Sequence, residues 1–79
     1  MALETISSAD FDCFRRLLYQ HSGISLADNK QPLLIGRLGR RLRELGIDSY
    51  AEYYQRVSRP GGEVERQRMI DLLTTNETH

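Results

Sequence analysis

A single cysteine, Cys13, leaves this 79-residue chain no internal disulfide, and with two histidines beside it there is no Cys/His spacing for a zinc site. Tryptophan is absent and proline occurs only twice. The longest run of large aliphatic residues, Leu33-Leu34-Ile35, falls far short of the ~20 apolar residues a membrane-spanning helix needs. The opening Met1-Ala2-Leu3-Glu4-Thr5 has neither the basic nor the apolar region of a secretory signal. No membrane insertion is expected, and the cytoplasm is the expected compartment. No glycine-rich turn follows a strand pattern, so the phosphate-cradling and dinucleotide-binding fingerprints are missing. Cys13 and His21 fall in a helical pattern without partners for nucleophilic or acid–base chemistry, so no catalytic residue and no metal ligand is assigned.

What remains is an ordinary globular composition, 39% hydrophobic and 28% charged, in a chain short enough to fold as one domain. Four apolar stripes at helical spacing predict an all-α fold, a small four-helix bundle of orthogonal or irregular packing, and a monomer. Ser7-Ser8-Ala9-Asp10 has the form of a capping box, Phe11, Phe14, Leu17 and Leu18 follow on one face, and Gly23 supplies a left-handed stop. Ile24 and Leu26 are expected to pack under the bundle. A second helix should begin between Asp28 and Gln31, with Pro32 in its first turn where an amide hydrogen is unpaired anyway, and end before Gly46. Its apolar arc is Leu34, Ile35, Leu38, Leu42 and Leu45.

A second capping box, Ser49-Tyr50-Ala51-Glu52, opens a third helix whose apolar side is Tyr50, Tyr53, Tyr54 and Val57, broken at Pro60-Gly61-Gly62. A fourth helix, from about Glu63 to Leu73, carries Val64, Met69, Ile70, Leu72 and Leu73.

Net charge is zero, but its distribution is uneven. From Lys30 to Arg43 there are five basic residues, Lys30, Arg37, Arg40, Arg41 and Arg43, and no acidic one. No ion pair forms within that run, so its charges are expected to be available to an outside partner. Gly36 and Gly39 fall on the non-apolar side of the same helix. Each costs about 1 kcal/mol relative to alanine in a helix interior, which two readings explain: close packing of a neighbouring helix, or clearance beside the arginines for a partner.

Phe11 to Leu18, Gly23-Ile24-x-Leu26-x-x-x-Lys30, Arg37-Leu38-x-Arg40-Arg41-Leu42-Arg43-x-Leu45-Gly46, Tyr50-x-x-Tyr53 and Leu73-Thr74-Thr75-Asn76-Glu77-Thr78 together resemble CheR chemotaxis methyltransferases, in the same order and over nearly the whole chain. The resemblance implies a helical amino-terminal domain at residues 1–73 and, at 74–79, the start of a link into a larger S-adenosylmethionine-dependent methyltransferase domain. Such enzymes methylate glutamate side chains on the helical cytoplasmic region of chemotaxis receptors during sensory adaptation. The basic second helix recognises that acidic region, and Lys30, Arg37, Arg40, Arg41 and Arg43 match its positions. Asn76 and Thr78 match family contacts to S-adenosylmethionine. The family's next such contact, an arginine after two phenylalanines, has no counterpart before His79. The implied partners are the receptor's helical bundle and the chain's own catalytic domain. These 79 residues by themselves are expected to be inactive and to bind the cofactor weakly.

Two other readings stand beside this one. A freestanding nucleic-acid-binding domain would place the arginine-rich helix in a groove, but the zero net charge and the acids beyond Arg43 disfavour it, and no direct nucleic-acid contact is expected. The other is a regulatory interaction module.

Overall fold

The computed structural model describes residues 2–74. Helix α1 (Ser8–Ser22) begins where Ser7, in extended backbone, accepts a hydrogen bond from the Asp10 amide at 3.1 Å. It stops at Gly23, whose φ of 75° lies in the left-handed region and whose amide donates to the Tyr19 carbonyl. One turn of 3₁₀ helix, Asp28–Lys30, leads into α2 (Gln31–Leu45), which has its proline in the first turn and ends at Gly46, again at φ 75°. Helix α3 (Tyr50–Ser58) opens on Ser49, whose side chain accepts from the Glu52 amide at 3.3 Å. After the Pro60-Gly61-Gly62 break, α4 (Glu63–Thr74) closes the described chain, and the Thr74 hydroxyl donates to the Ile70 carbonyl. The described residues contain four α-helices and no strand, the all-α bundle expected from the four stripes.

Helix α4 lies against both α2 and α3, and α3 lies against α1. Phe14 and Leu18 of α1, Leu34, Leu38 and Leu42 of α2, Tyr53 and Val57 of α3, and Met69 of α4 are fully sealed from solvent. The Phe14 ring is the hub of an aromatic cluster, edge-on to Tyr50 and Tyr54 at centroid distances of 6.4 and 5.6 Å and tilted against Tyr53 at 6.2 Å. Edge-to-face pairs add about 0.5–1.5 kcal/mol each beyond the area they bury, which matters in a chain this small. Among the described residues no buried side-chain nitrogen or oxygen lacks a hydrogen bond.

A short 3₁₀ turn at Ala2–Glu4, absent from the sequence expectation, buries Leu3 against α2, and the Leu3 carbonyl accepts the Tyr50 hydroxyl at 2.8 Å. That contact explains Gly39, which is buried, not on an open side. A Cβ there would lie 3.2 Å from the Tyr50 hydroxyl and 3.6 Å from the Leu3 carbonyl oxygen, so the glycine permits close approach. Gly36 faces open space, and no packing contact accounts for it.

Two other expectations are corrected. Ile24 is 44% exposed, because the link after Gly23 turns outward and tucks in only at Leu26, which is partly buried against the core. Val64 is 82% exposed, since the faces of α4 turned to α2 and α3 are occupied by Met69, Ile70 and Leu73 instead.

Candidate functional site

At about 100° per residue, Arg37 and Arg41 fall three residues after Leu34 and Leu38, on the margin of the apolar arc of α2, whereas Arg40 and Arg43 point away from it. The margin meets α4, and the two sets therefore behave differently. Lys30, Arg40 and Arg43 are exposed. Arg37 is half-buried and donates from Nη1 to the Leu72 carbonyl at 2.8 Å, so a cation satisfies an oxygen in the last turn of α4.

Arg41 is held more firmly. Its Nε and Nη2 donate to the two carboxylate oxygens of Glu65 at 2.9 and 2.8 Å, a bidentate pair across α2 and α4 with side-chain exposures of only 20% and 14%. The Tyr53 hydroxyl of α3 donates to the same Glu65 at 2.7 Å, and Arg41 also reaches Glu44 at 3.3 Å. Three helices thus meet on one carboxylate. The expectation that every cation of the 30–43 run is left for an outside partner fails at Arg41, because its counter-ion lies 24 residues along the chain, beyond any spacing rule within one helix.

The electrostatics follow the geometry. The hydrogen bonds from Arg41 hold the Glu65 carboxyl below the usual glutamate range against the opposing effect of burial, with the Tyr53 hydroxyl and the nearby Arg68 adding to the effect. Burial, and then the bond to Glu65, push the Tyr53 phenol well above the ordinary tyrosine value and keep it a neutral donor. Arg41 is locked in its charged form by the Glu65 bond.

Arg68 of α4 is the residue the sequence reading passed over. It is exposed and, with Arg37, Arg40, Arg41, Glu44 and Leu72, lines a groove of about 210 Å³ between α2 and α4. Its place beside the α2 arginines depends on how two helices pack, which no motif within α4 signals. A larger depression of about 880 Å³ lies at the far end of α1, lined among others by Arg15, Arg16, Tyr19 and Tyr54. It is open to solvent, and Arg15 there is already paired with Asp12 and Asp28 and stacked over the Phe11 ring.

Cys13 is half-buried in α1, and His21 is exposed in the last turn of that helix. Among the described residues no group of three or more His, Cys, Asp or Glu side chains is arranged to hold a metal ion. Asn76 and Thr78, the expected cofactor contacts, lie outside the described residues. The two depressions described above are open grooves, whereas a small-molecule seat encloses most of its ligand, so neither fits S-adenosylmethionine. No helix among the described residues is long and apolar enough to cross a membrane.

The family model described as CheR methyltransferase, all-alpha domain, matches residues 9–74. Chemotaxis protein methyltransferase 2 of Pseudomonas aeruginosa is 46% identical over 69 residues, covering 87% of this chain and 24% of that protein. The chemotaxis protein methyltransferase of Salmonella typhimurium is 41% identical over 73 residues, 92% of this chain and 25% of its own length. That of Escherichia coli is 40% identical over 73 residues, covering 92% and 26%. The chain spans about a quarter of the length of the curated relatives it matches.

Proposed function

This chain belongs to the CheR methyltransferase family through its all-alpha domain, and we propose that it is the receptor-recognition domain of a cytoplasmic S-adenosylmethionine-dependent enzyme that methylates glutamates on chemotaxis receptors. In this reading residues 1–73 form the recognition domain, and 74–79 begin the link to the chain's own catalytic domain. Asn76 and Thr78 are proposed to contribute to the cofactor's seat, which otherwise lies in that catalytic domain. S-adenosylmethionine supplies the methyl group when bound. The described residues take no part in that step.

The observation that carries the proposal is the exposed set of Lys30, just before α2, with Arg40 and Arg43 on that helix, whose inner margin, Arg37 and Arg41, is tied to α4. All five belong to the proposed docking surface, the inner two with a structural duty as well. A charged face on a braced helix presents its cations in a defined order to an acidic helical bundle. Electrostatic complementarity of that kind sets orientation and association rate more than raw affinity. Orientation is what the chemistry needs, because a carboxylate is a weak nucleophile and its rate of attack rests on alignment with the methyl donor. Nucleic-acid binding is disfavoured by the zero net charge.

The test uses the full-length methyltransferase. Charge reversal at the two outward positions, Arg40→Glu with Arg43→Glu, should lower receptor methylation at limiting receptor, weaken its salt dependence, and leave thermal melting and cofactor binding unchanged. Unchanged methylation at low salt would refute the proposal.

A further inference from the structure

Building on the docking surface proposed above, we infer that the receiving site is the groove between α2 and α4, with Arg68 as its second cationic wall, and that it seats one carboxylate side chain of an acidic helix. The groove is small, about 210 Å³. Small-molecule sites run from roughly 300 Å³ upward, and an open groove of about 210 Å³ suits a side chain inserted from a larger partner better than a separate small molecule.

Charge sets its chemistry. Arg37, Arg40, Arg41 and Arg68 converge on the groove. Against them stand Glu44 on its wall, Glu65 behind Arg41, and Asp71 in the neighbouring depression. Four arginines therefore face three carboxylates, and those three are engaged: Glu44 by Arg41, Glu65 by Arg41 and Tyr53, and Asp71 by the Gln67 side-chain amide at 3.1 Å. Arg68 makes no hydrogen bond or ion pair among the described residues and senses Glu65 only at longer range. The groove is one carboxylate short of neutrality.

The flanks indicate what carries that carboxylate. Val64, Arg68 and Leu72 follow one another at four-residue intervals along α4, an apolar–basic–apolar stripe on one face. An exposed valine alone needs no account. Here it borders a depression shared with Arg68 and Leu72, so a helix that places a carboxylate in the groove also covers apolar surface on either side. A nucleic-acid strand would bring a row of regularly spaced phosphates, for which a groove one carboxylate short of neutrality has no matching row of cations.

Association of the full-length methyltransferase with the soluble cytoplasmic helical region of a chemotaxis receptor tests this, using Arg68→Ala, Arg68→Glu, Arg40→Glu and the Arg40→Glu/Arg68→Glu pair, each checked by thermal melting. Arg68→Glu should slow association about three- to tenfold, Arg68→Ala less, and the paired variant should fall short of the product of the two single effects because both cations serve one guest. Should Arg40→Glu slow association while both Arg68 variants bind like the parent, the shared groove is refuted and docking on α2 stands. If no variant changes association, both readings fall. If Arg68→Glu acts and Arg40→Glu does not, docking on α2 is refuted, and the shared groove with it. Equal capture of a duplex oligonucleotide by the parent, lost in Arg68→Glu, would also overturn the acidic-helix guest.

Discussion

Glu65 is the residue on which most depends. One carboxylate receives two hydrogen bonds from Arg41 and one from Tyr53, joining α2, α3 and α4 where the surface is nearly closed to solvent. Hydrogen bonds to a charged group are worth about 1.5–3 kcal/mol, and stripping one partner leaves the others uncompensated. Glu65→Gln should therefore destabilise by about 1–3 kcal/mol at neutral pH, read from urea midpoints. The pH dependence has a definite sign. Because the folded carboxyl lies below its unfolded value of about 4.3, its contribution is complete above that pH and is lost as the pH falls through the folded value. The parent should lose stability on acidification below about pH 4.3, and Glu65→Gln should show a flatter acid limb. Identical acid limbs in the two proteins would remove Glu65 from the account.

At the scale of elements, the connections are as constrained as the helices. Gly62 is buried between α3 and α4, its amide donating to the Arg59 carbonyl at 3.0 Å and its carbonyl accepting the Arg66 amide at 2.9 Å. A Cβ at this position would meet the Arg56 carbonyl oxygen at 2.2 Å, and that neighbour is backbone, with no rotamer to move aside. Arg66 tightens the same junction by donating to the Val57 carbonyl at 2.9 Å. Gly62→Ala should cost about 1–3 kcal/mol, as overpacking does, and should shift the α3–α4 angle enough to loosen the Tyr53–Glu65 bond. Thermal melting with the near-ultraviolet tyrosine signal tests this; a wild-type melt would mean the turn relaxes freely. By contrast Gly36, with nothing around its Cβ position, has no such barrier to substitution.

For the whole molecule, the division of labour in the proposed enzyme predicts that these 79 residues alone bind S-adenosylmethionine weakly. Both depressions described above are open grooves that would leave an adenosyl group largely in water. Titration calorimetry of the isolated chain should register no binding at micromolar cofactor, whereas the full-length methyltransferase should bind it. Micromolar affinity in the isolated chain would place the cofactor seat on the helical domain and overturn that division.

The residues that set four of the helix boundaries were legible in the sequence, because those interactions close within four positions. Ser7 caps with Asp10, Ser49 caps with Glu52, and Gly23 and Gly46 take the left-handed turn that other residues resist. Burial of Leu34, Leu38 and Leu42 followed from helical period alone. Tertiary packing decided the rest. Whether Arg41 faced solvent or Glu65, whether Gly39 lay open or against Leu3 and Tyr50, and whether Arg68 joined the arginines of α2 all depended on which helices touch and at what offset. Those contacts join residues 24, 36 and about 30 positions apart, and a pattern with a period of 3.6 carries no information about them.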